Sequence, residues 1–135
     1  MNNLQSIKKE QQKRIDTLLN DCLLFWAFSN EQFAKNKTPL QDGEKYVSIG
    51  AGGYMPKGKV DAYLNGMKEI NKWFKAATKP AEIRKAHILY ELNNYEAFYT
   101  GDIEDTMNAL GNGYSAAEVW EVYHAKQAEA ETMLH

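Results

Sequence analysis

Three polar side chains at helical spacing are the residues best suited to chemistry in this chain. His87, Glu91 and Asn94 stand at positions i, i+4 and i+7, which places them in a narrow strip along one helix. A histidine and a glutamate at this spacing can both reach one metal ion or one water, and a nearby carboxylate makes the histidine a better base. Asp102 completes the set if the chain folds back. These four residues form the candidate polar or ligand site.

The same strip has a structural interpretation. Hydrogen-bonded polar side chains also fix how a central helix meets its neighbours. Zinc sites normally use more His or Cys than the 3 His and 1 Cys available here. The structural network is therefore favoured, and no catalytic residue, metal ligand or cofactor is assigned. Cys22 lies in the apolar run 22–28, which predicts a buried and unreactive thiol.

The strip belongs to a helix predicted from about Pro80 to Tyr99, since proline suits a first helical turn. Its apolar residues fall on two opposite sides, one with Ile88, Leu92, Tyr95 and Tyr99 and the other with Ile83, Ala86, Tyr90 and Ala97. A helix that is apolar on two sides is packed on two sides. The sequence therefore predicts that this helix is central to the fold.

Apolar periodicity and capping patterns predict the other elements. The expected helices cover about 3–28, 29–35, 60–77, 103–110 and 116–133, with one continuous helix to residue 35 as the alternative at the start. Tyr46–Ile49 and Tyr54–Met55 are expected to pair as a small hairpin. The predicted fold class is all-α, or α with a small β-hairpin, as a compact bundle of four or five helices around the helix at 80–99. One domain over 1–135 is expected, with a polar start at 1–14 that frays or protrudes.

The glycine loop is the second candidate site. Gly50, Gly52 and Gly53 follow a predicted strand, as glycines do in phosphate-binding loops. No Gly-Lys-Ser/Thr ending follows, and the next helix begins only after Pro56. A hairpin turn or a flexible surface loop is therefore the favoured interpretation.

Charge is unevenly distributed along the chain. Residues 1–80 contain 13 Lys and Arg against 8 Asp and Glu, whereas residues 81–135 contain 3 against 10. Such asymmetry marks either a binding face or two halves that attract each other within one fold. Several aromatic residues share the acidic half, and exposed aromatics among carboxylates suit a basic protein surface.

Residues 102–123 read as helix, glycine turn and helix. A DNA-reading helix-turn-helix would present Glu118 and Glu121 to phosphates, which repel them. No calcium-binding loop of the EF-hand type occurs in the sequence. The segment is therefore predicted to be a helical hairpin, and direct nucleic-acid binding through the C-terminal half is not expected.

The segments LLFWAFSNEQFAKNKTPL, KYVSIGAGGYMPK and ELNNYEAFYTGDIEDTMNALG carry a resemblance. They are similar to segments of an uncharacterised family of small proteins from gut bacteria and their phages. The likeness spans most of the chain after residue 20. It implies a phage or mobile-element context, and it carries over no catalytic residue because no activity is established for that family.

The leading functional hypothesis is a non-enzymatic binding or inhibitor protein whose acidic, aromatic C-terminal half engages a basic protein partner. The candidate partner-binding residues are Glu104, Asp105, Tyr114, Glu118 and Glu121. By analogy with small phage proteins, the partner would be a host enzyme or a defence system. The alternative is a domain that binds a small molecule or a metal ion at the polar strip. One form of this hypothesis adds a hydrolytic activity.

The expected cellular location follows from the lengths of the apolar runs in the sequence. No apolar run approaches the roughly 18 residues that a bilayer span needs, and the polar start does not resemble a signal peptide. The expectation is a cytoplasmic protein without a membrane partner, and the sequence does not specify its oligomeric state.

Overall fold

The computed structural model describes residues 3–134, and within them the chain is mostly helical with one small antiparallel sheet. This confirms the predicted fold class. The helices are α1 (Leu4–Asp21), α2 (Asn30–Asn36), α3 (Val60–Ala77), α4 (Ala81–Asn94), α5 (Ala97–Thr100), α6 (Glu104–Leu110) and α7 (Ala116–Leu134). The strands are β1 (Phe25–Trp26), β2 (Tyr46–Gly50) and β3 (Gly53–Pro56).

The chain divides into two compact units, one of residues 5–76 and one formed mainly by the residues from Ala77 onward. Each is described by itself, and the single domain over 1–135 stays a prediction. The predicted frayed start at 1–14 lies partly outside the described residues, and from Leu4 onward this segment is helical. Among residues 3–134, no helix combines the length and apolar character needed to cross a bilayer.

The first helix is shorter than predicted. It ends at Asp21 instead of near Phe28, because Leu23 adopts the left-handed conformation with φ of 57°. The Leu24 amide then donates to the Leu19 carbonyl at 3.0 Å, which closes the helix end. The chain leaves this turn extended and enters β1. The predicted helix to residue 28, and the continuous alternative to residue 35, are therefore both wrong.

The sheet has the order β1-β3-β2, and both pairs are antiparallel. The predicted hairpin is confirmed as β2 and β3. Its turn has positive φ at Ala51 and Gly52, 51° and 82°, as a two-residue hairpin turn of type I′ requires. Strand β1 was not predicted, because a two-residue strand inside an apolar run has no periodicity of its own.

Helix α2 covers one face of this sheet. Phe33 on α2 lies with Phe25, Tyr46 and Tyr54 in an aromatic cluster whose ring centroids are 5.1–5.7 Å apart. The predicted helix start is confirmed, since the Ser29 side chain accepts from the Gln32 amide at 3.1 Å. The Phe28 amide donates to Gln32 Oε1 at 2.8 Å, which fixes the chain entering α2.

Helices α1 and α3 approach closely at Gly66. A Cβ placed there would lie 2.4 Å from Leu18 Cδ1, so glycine makes room for the leucine side chain. One turn earlier on α1, the Arg14 guanidinium lies 4.1 Å from the centre of the Trp73 ring, where the cation–π attraction adds to the packing. The bounds of α3 match the prediction.

The second unit packs around α4, which contacts α5, α6 and α7. Its core consists of Ile88, Leu92, Ala97, Ile103, Leu110, Val119, Val122 and Tyr123. The predicted central role of this helix is confirmed within the unit. Its predicted length is wrong, since α4 ends at Asn94 and Glu96 is left-handed with φ of 54°.

The two predicted apolar sides of α4 are buried to different degrees, since Ile83 and Ala86 on the second side are only half-buried. The buried residues of α4 form one face, namely His87, Ile88, Glu91 and Leu92. Tyr90 on the other predicted side is 44% exposed. Because the chain turns at Glu96, Tyr99 does not continue the buried face of the helix, and it is 91% exposed.

Candidate functional site

The structure separates the four residues of the predicted polar site. His87 and Glu91 lie in the buried face of α4, with 6% and 7% exposure. Asn94, at the end of the same helix, is exposed. Asp102 is also exposed, and its Oδ1 accepts from the Glu104 amide at 2.9 Å at the start of α6. The set does not form one enclosed site.

The buried part of the strip makes hydrogen bonds with its own unit. The His87 side chain is bonded through Nδ1, which lies 2.9 Å from the Tyr114 hydroxyl, while at Glu91 the backbone carbonyl accepts from Thr106 Oγ1 at 3.3 Å. Among the described residues, every buried side-chain nitrogen and oxygen has a hydrogen-bond partner. Within 3–134, no three His, Cys, Asp or Glu side chains converge as metal ligands do. The contact between His87 and Tyr114 is of the kind that the structural interpretation expects, and the ligand site stays a prediction.

A second polar cluster lies beside His87 and was not predicted. Arg84 binds Glu118 through two nitrogens, Nε to Oε1 at 2.5 Å and Nη2 to Oε2 at 2.9 Å. Its Nη2 also donates to the Gly113 carbonyl at 2.5 Å, and its guanidinium lies 4.0 Å from the centre of the Tyr114 ring. Arg84 thus joins α4 to the loop before α7 and to the first turn of α7. Because the two residues are 34 positions apart, no local sequence pattern indicates that they form a pair.

The ion pair perturbs both of its members. The hydrogen bond from Arg84 lowers the pKa of the Glu118 carboxyl, and a backbone hydrogen bond from Ser115 lowers it by a smaller amount. The hydrogen bond to Glu118 raises the pKa of Arg84. A bidentate, charge-assisted pair is stronger than an ordinary surface pair. The pair therefore stabilises the folded state while Glu118 is ionised.

The pH dependence of stability tests this pair. Because the folded pKa of Glu118 is lowered, its contribution is complete above the ordinary glutamate pKa of about 4.3 and is lost as pH falls through the folded value. We expect Glu118→Gln to lower the free energy of unfolding by about 1 kcal/mol at pH 7 and by progressively less below about pH 4. Urea unfolding of both proteins across this range measures the difference. Glu121→Gln, an exposed carboxylate on the same helix, is the matched control, and a constant difference at all pH values would contradict the assignment.

The candidate partner-binding residues fall into two groups. Glu104, Asp105 and Glu121 are exposed. Tyr114 and Glu118 are half-buried and engaged by Arg84 within their own unit. A partner that used these last two side chains would have to displace the arginine. The first three residues are directly accessible.

The accessible acidic residues continue into the preceding segment, residues 96–105, which we call the acidic–tyrosine segment. It contains Glu96, Tyr99, Asp102, Glu104 and Asp105, all of which are exposed. Left-handed residues at Glu96 and Gly101 bound the short helix α5, which carries the exposed tyrosine. A shallow cleft beside it is lined by Asn93, Glu96, Phe98 and Tyr99. The exposure of Tyr99 was missed because the helical wheel was continued past Glu96.

The glycine loop is a hairpin turn, the interpretation that the sequence favoured. Gly50 precedes the turn with φ of 92°, at an irregularity in the β2–β3 register. The Gly52 carbonyl accepts from the Ala27 amide at 2.9 Å, which ties the turn to the end of β1. Two aromatic side chains, Trp26 and Phe28, lie against Gly53 and Gly52. Sequence patterns gave no sign of this contact.

Comparison with known families gives one assignment. The chain belongs to the family of unknown function DUF7659, whose profile matches residues 6–130. The predicted resemblance to an uncharacterised family is thus confirmed, while its source in gut bacteria and their phages stays a prediction. No curated protein matches the chain, and neither does any solved structure.

Proposed function

We propose that this member of a family of unknown function is a protein-binding module whose acidic–tyrosine segment engages a basic surface on a partner protein. The observation that carries the proposal is Tyr99, whose side chain is 91% exposed among exposed carboxylates. A tyrosine presented in this way contributes nothing to the core of its own unit. Tyrosine is among the residues that contribute most to binding energy at interfaces.

The distribution of charged residues supports a partner with a basic surface. The sequence has no Lys or Arg between Lys85 and Lys126. Among described side chains, Glu118 is ion-paired with Arg84, whereas Glu104 and Asp105 have no salt bridge to a Lys or Arg. Exposed carboxylates that are not ion-paired attract a basic surface over distances of about 8–10 Å at physiological salt. They also speed association with it.

The chemistry of this segment suits binding better than catalysis. Its carboxylates are exposed, and within residues 3–134 no three His, Cys, Asp or Glu side chains converge as metal ligands do. A partner that is a host enzyme or a defence protein is part of this proposal, since a small module with an acidic face would block the basic site of such a protein.

Charge reversal and tyrosine truncation test the proposal. A fluorescently labelled arginine-rich peptide serves as the basic probe, and anisotropy measures its affinity for the full chain. We expect the double variant Glu104→Lys, Asp105→Lys to bind at least about tenfold more weakly, because two attractive pairs become repulsive. Tyr99→Ala is expected to lower the affinity for the peptide by about fivefold or more, as truncation of a binding hot spot does.

The control is Glu131→Lys, which reverses an exposed charge near the end of α7, outside the segment. We expect it to bind the peptide like the unmodified chain. The same loss per reversed charge in Glu131→Lys and in the double variant would mean that net charge alone attracts the peptide. Unchanged binding in the double variant would contradict the proposal.

A further inference from the structure

A second exposed aromatic surface lies in the unit of residues 5–76. Phe28 is 75% exposed and Trp26 is 48% exposed. Their rings lie against Gly52 in the hairpin turn and Gly53 at the start of β3. We call these four residues the ring platform. Its neighbour Phe25 points the other way, into the aromatic cluster, and is 5% exposed. The two platform rings are therefore displayed and do not complete that cluster.

The Phe28 ring presents one flat face to solvent. A Cβ placed on Gly52 would lie 2.3 Å from Cε1 and 2.8 Å from both of its ring neighbours, Cδ1 and Cζ. Because both neighbours are only slightly farther from that point than Cε1 is, the point lies above the ring face; a point beyond the edge in the ring plane would be clearly farther from both neighbours. One face thus rests on the glycine backbone, and the opposite face is open. A side chain at residue 52 would remove this arrangement.

The backbone beneath the rings is held on several sides. Trp26 pairs with Gly53 in the sheet, and its carbonyl accepts from Asn36 Nδ2 at 2.9 Å. The Ala27 amide donates to the Gly52 carbonyl at 2.9 Å, and the Phe28 amide donates to Gln32 at 2.8 Å. Binding to the platform therefore costs little ordering of the chain that carries the rings.

Exposed lysines lie in the segments that adjoin the platform. The bond from Asn36 to the Trp26 carbonyl holds the chain at the exposed Lys35 and Lys37 next to the backbone that carries the rings. At the open end of the same hairpin, the Lys57 amide donates to the Lys45 carbonyl at 2.8 Å, about 13 Å along the strand from Gly53. Lysines are therefore present both next to the residue that bonds to Trp26 and at the open end of the hairpin.

We propose that the ring platform binds single-stranded nucleic acid, with bases stacked on Phe28 and Trp26 and phosphates contacting the nearby lysines. Aromatic faces beside a basic groove are the usual means of binding single strands without sequence preference. An open ring face suits a planar base, whereas membrane insertion needs rings that project from the backbone. This site is independent of the acidic–tyrosine segment, which lies in the other unit.

Anisotropy of a labelled oligothymidine of about 15 nucleotides, titrated with the full chain, tests the proposal. We expect Phe28→Ala to weaken binding about tenfold. Phe28→Leu should lose about as much, because it keeps apolar area without a π face, while Phe28→Tyr should keep the affinity. The exposure of Phe28 means that these variants fold, which circular dichroism verifies.

Lysine variants test the phosphate contacts. Lys37→Gln should weaken binding and reduce the slope of log affinity against log salt by about one. The control is Lys72→Gln, an exposed lysine on α3, which should leave the slope unchanged. The proposal is overturned if oligothymidine does not bind at low salt, or if Phe28→Leu binds like the unmodified chain. It is also overturned if polyglutamate or anionic vesicles bind with the same dependence on Phe28 while oligothymidine does not.

Discussion

Leu92→Ala is expected to lower the free energy of unfolding by about 3–5 kcal/mol. Leu92 lies on α4 with no exposed surface, in the core of the unit that begins at Ala77. Truncation removes buried methyl groups and leaves a cavity among Ile88, Val119 and the rest of that core. Urea unfolding followed by circular dichroism at 222 nm measures the change.

The matched control is Leu64→Ala on α3. Leu64 is 57% exposed, so its truncation should change stability by less than about 1 kcal/mol. The contrast separates burial from helix propensity, since both changes replace leucine by alanine within a helix. Similar losses from the two variants would contradict the position assigned to α4 in its core.

Phe25→Ala is expected to lower the free energy of unfolding by about 3–5 kcal/mol. Phe25 is the buried residue of β1, and its ring contacts Phe33, Tyr46 and Tyr54 with centroids 5.2, 5.1 and 5.7 Å away. Its loss opens the aromatic cluster that holds α2 against the sheet. The same urea titration measures the loss.

The control lies three positions further along the chain. Phe28→Ala removes the same ring from a side chain that is 75% exposed, so the expected change is within about 0.5 kcal/mol. If β1 were absent and residues 22–28 continued as a helix, the two phenylalanines would not differ in this way. Equal effects would therefore contradict the observed strand.

These two core variants also test the predicted single domain. Leu92 and Phe25 belong to different compact units. If residues 1–135 unfold as one cooperative domain, either variant lowers the midpoint of one shared transition. Two transitions, each moved by only one of the variants, would mean two domains.

The elements that sequence patterns predicted well have strong local signals. Helix α3 was predicted at both ends, because its apolar residues repeat with a helical period and Pro80 follows it. Ser115, whose side chain accepts from the Glu118 amide at 3.1 Å, marks the start of α7. The β2–β3 hairpin was predicted from its alternating residues and its glycines.

The wrong predictions trace to left-handed residues that are not glycine. Leu23 ends α1 and Glu96 ends the α4 segment, with φ of 57° and 54°. Neither residue type favours that conformation, so nothing in the sequence marks either turn. Each missed turn led to a wrong prediction for aromatic residues. Without the turn at Leu23, Phe25 and Trp26 were predicted as helix and not as strand β1. Without the turn at Glu96, Tyr99 was predicted to be buried, although it is exposed.

The candidate sites were only partly predictable for a similar reason. His87 and Glu91 are neighbours on one helix, so their spacing placed them correctly on one face. Contacts between distant segments, such as Arg84 with Glu118 or Phe28 with Gly52, depend on how the elements pack. The exposed carboxylates of α6 were predicted, since charged residues seldom lie buried without a partner.

The proposal that the acidic–tyrosine segment binds a basic partner is tested most directly by photo-crosslinking in cells that produce the protein. A photoreactive phenylalanine analogue replaces Tyr99, or Glu131 as the control, and mass spectrometry identifies the adducts. We expect a protein with a basic surface to crosslink at position 99 only, and to be lost when Glu104→Lys and Asp105→Lys are added. The same adducts at both positions, or an adduct at 99 that survives charge reversal, would contradict the account.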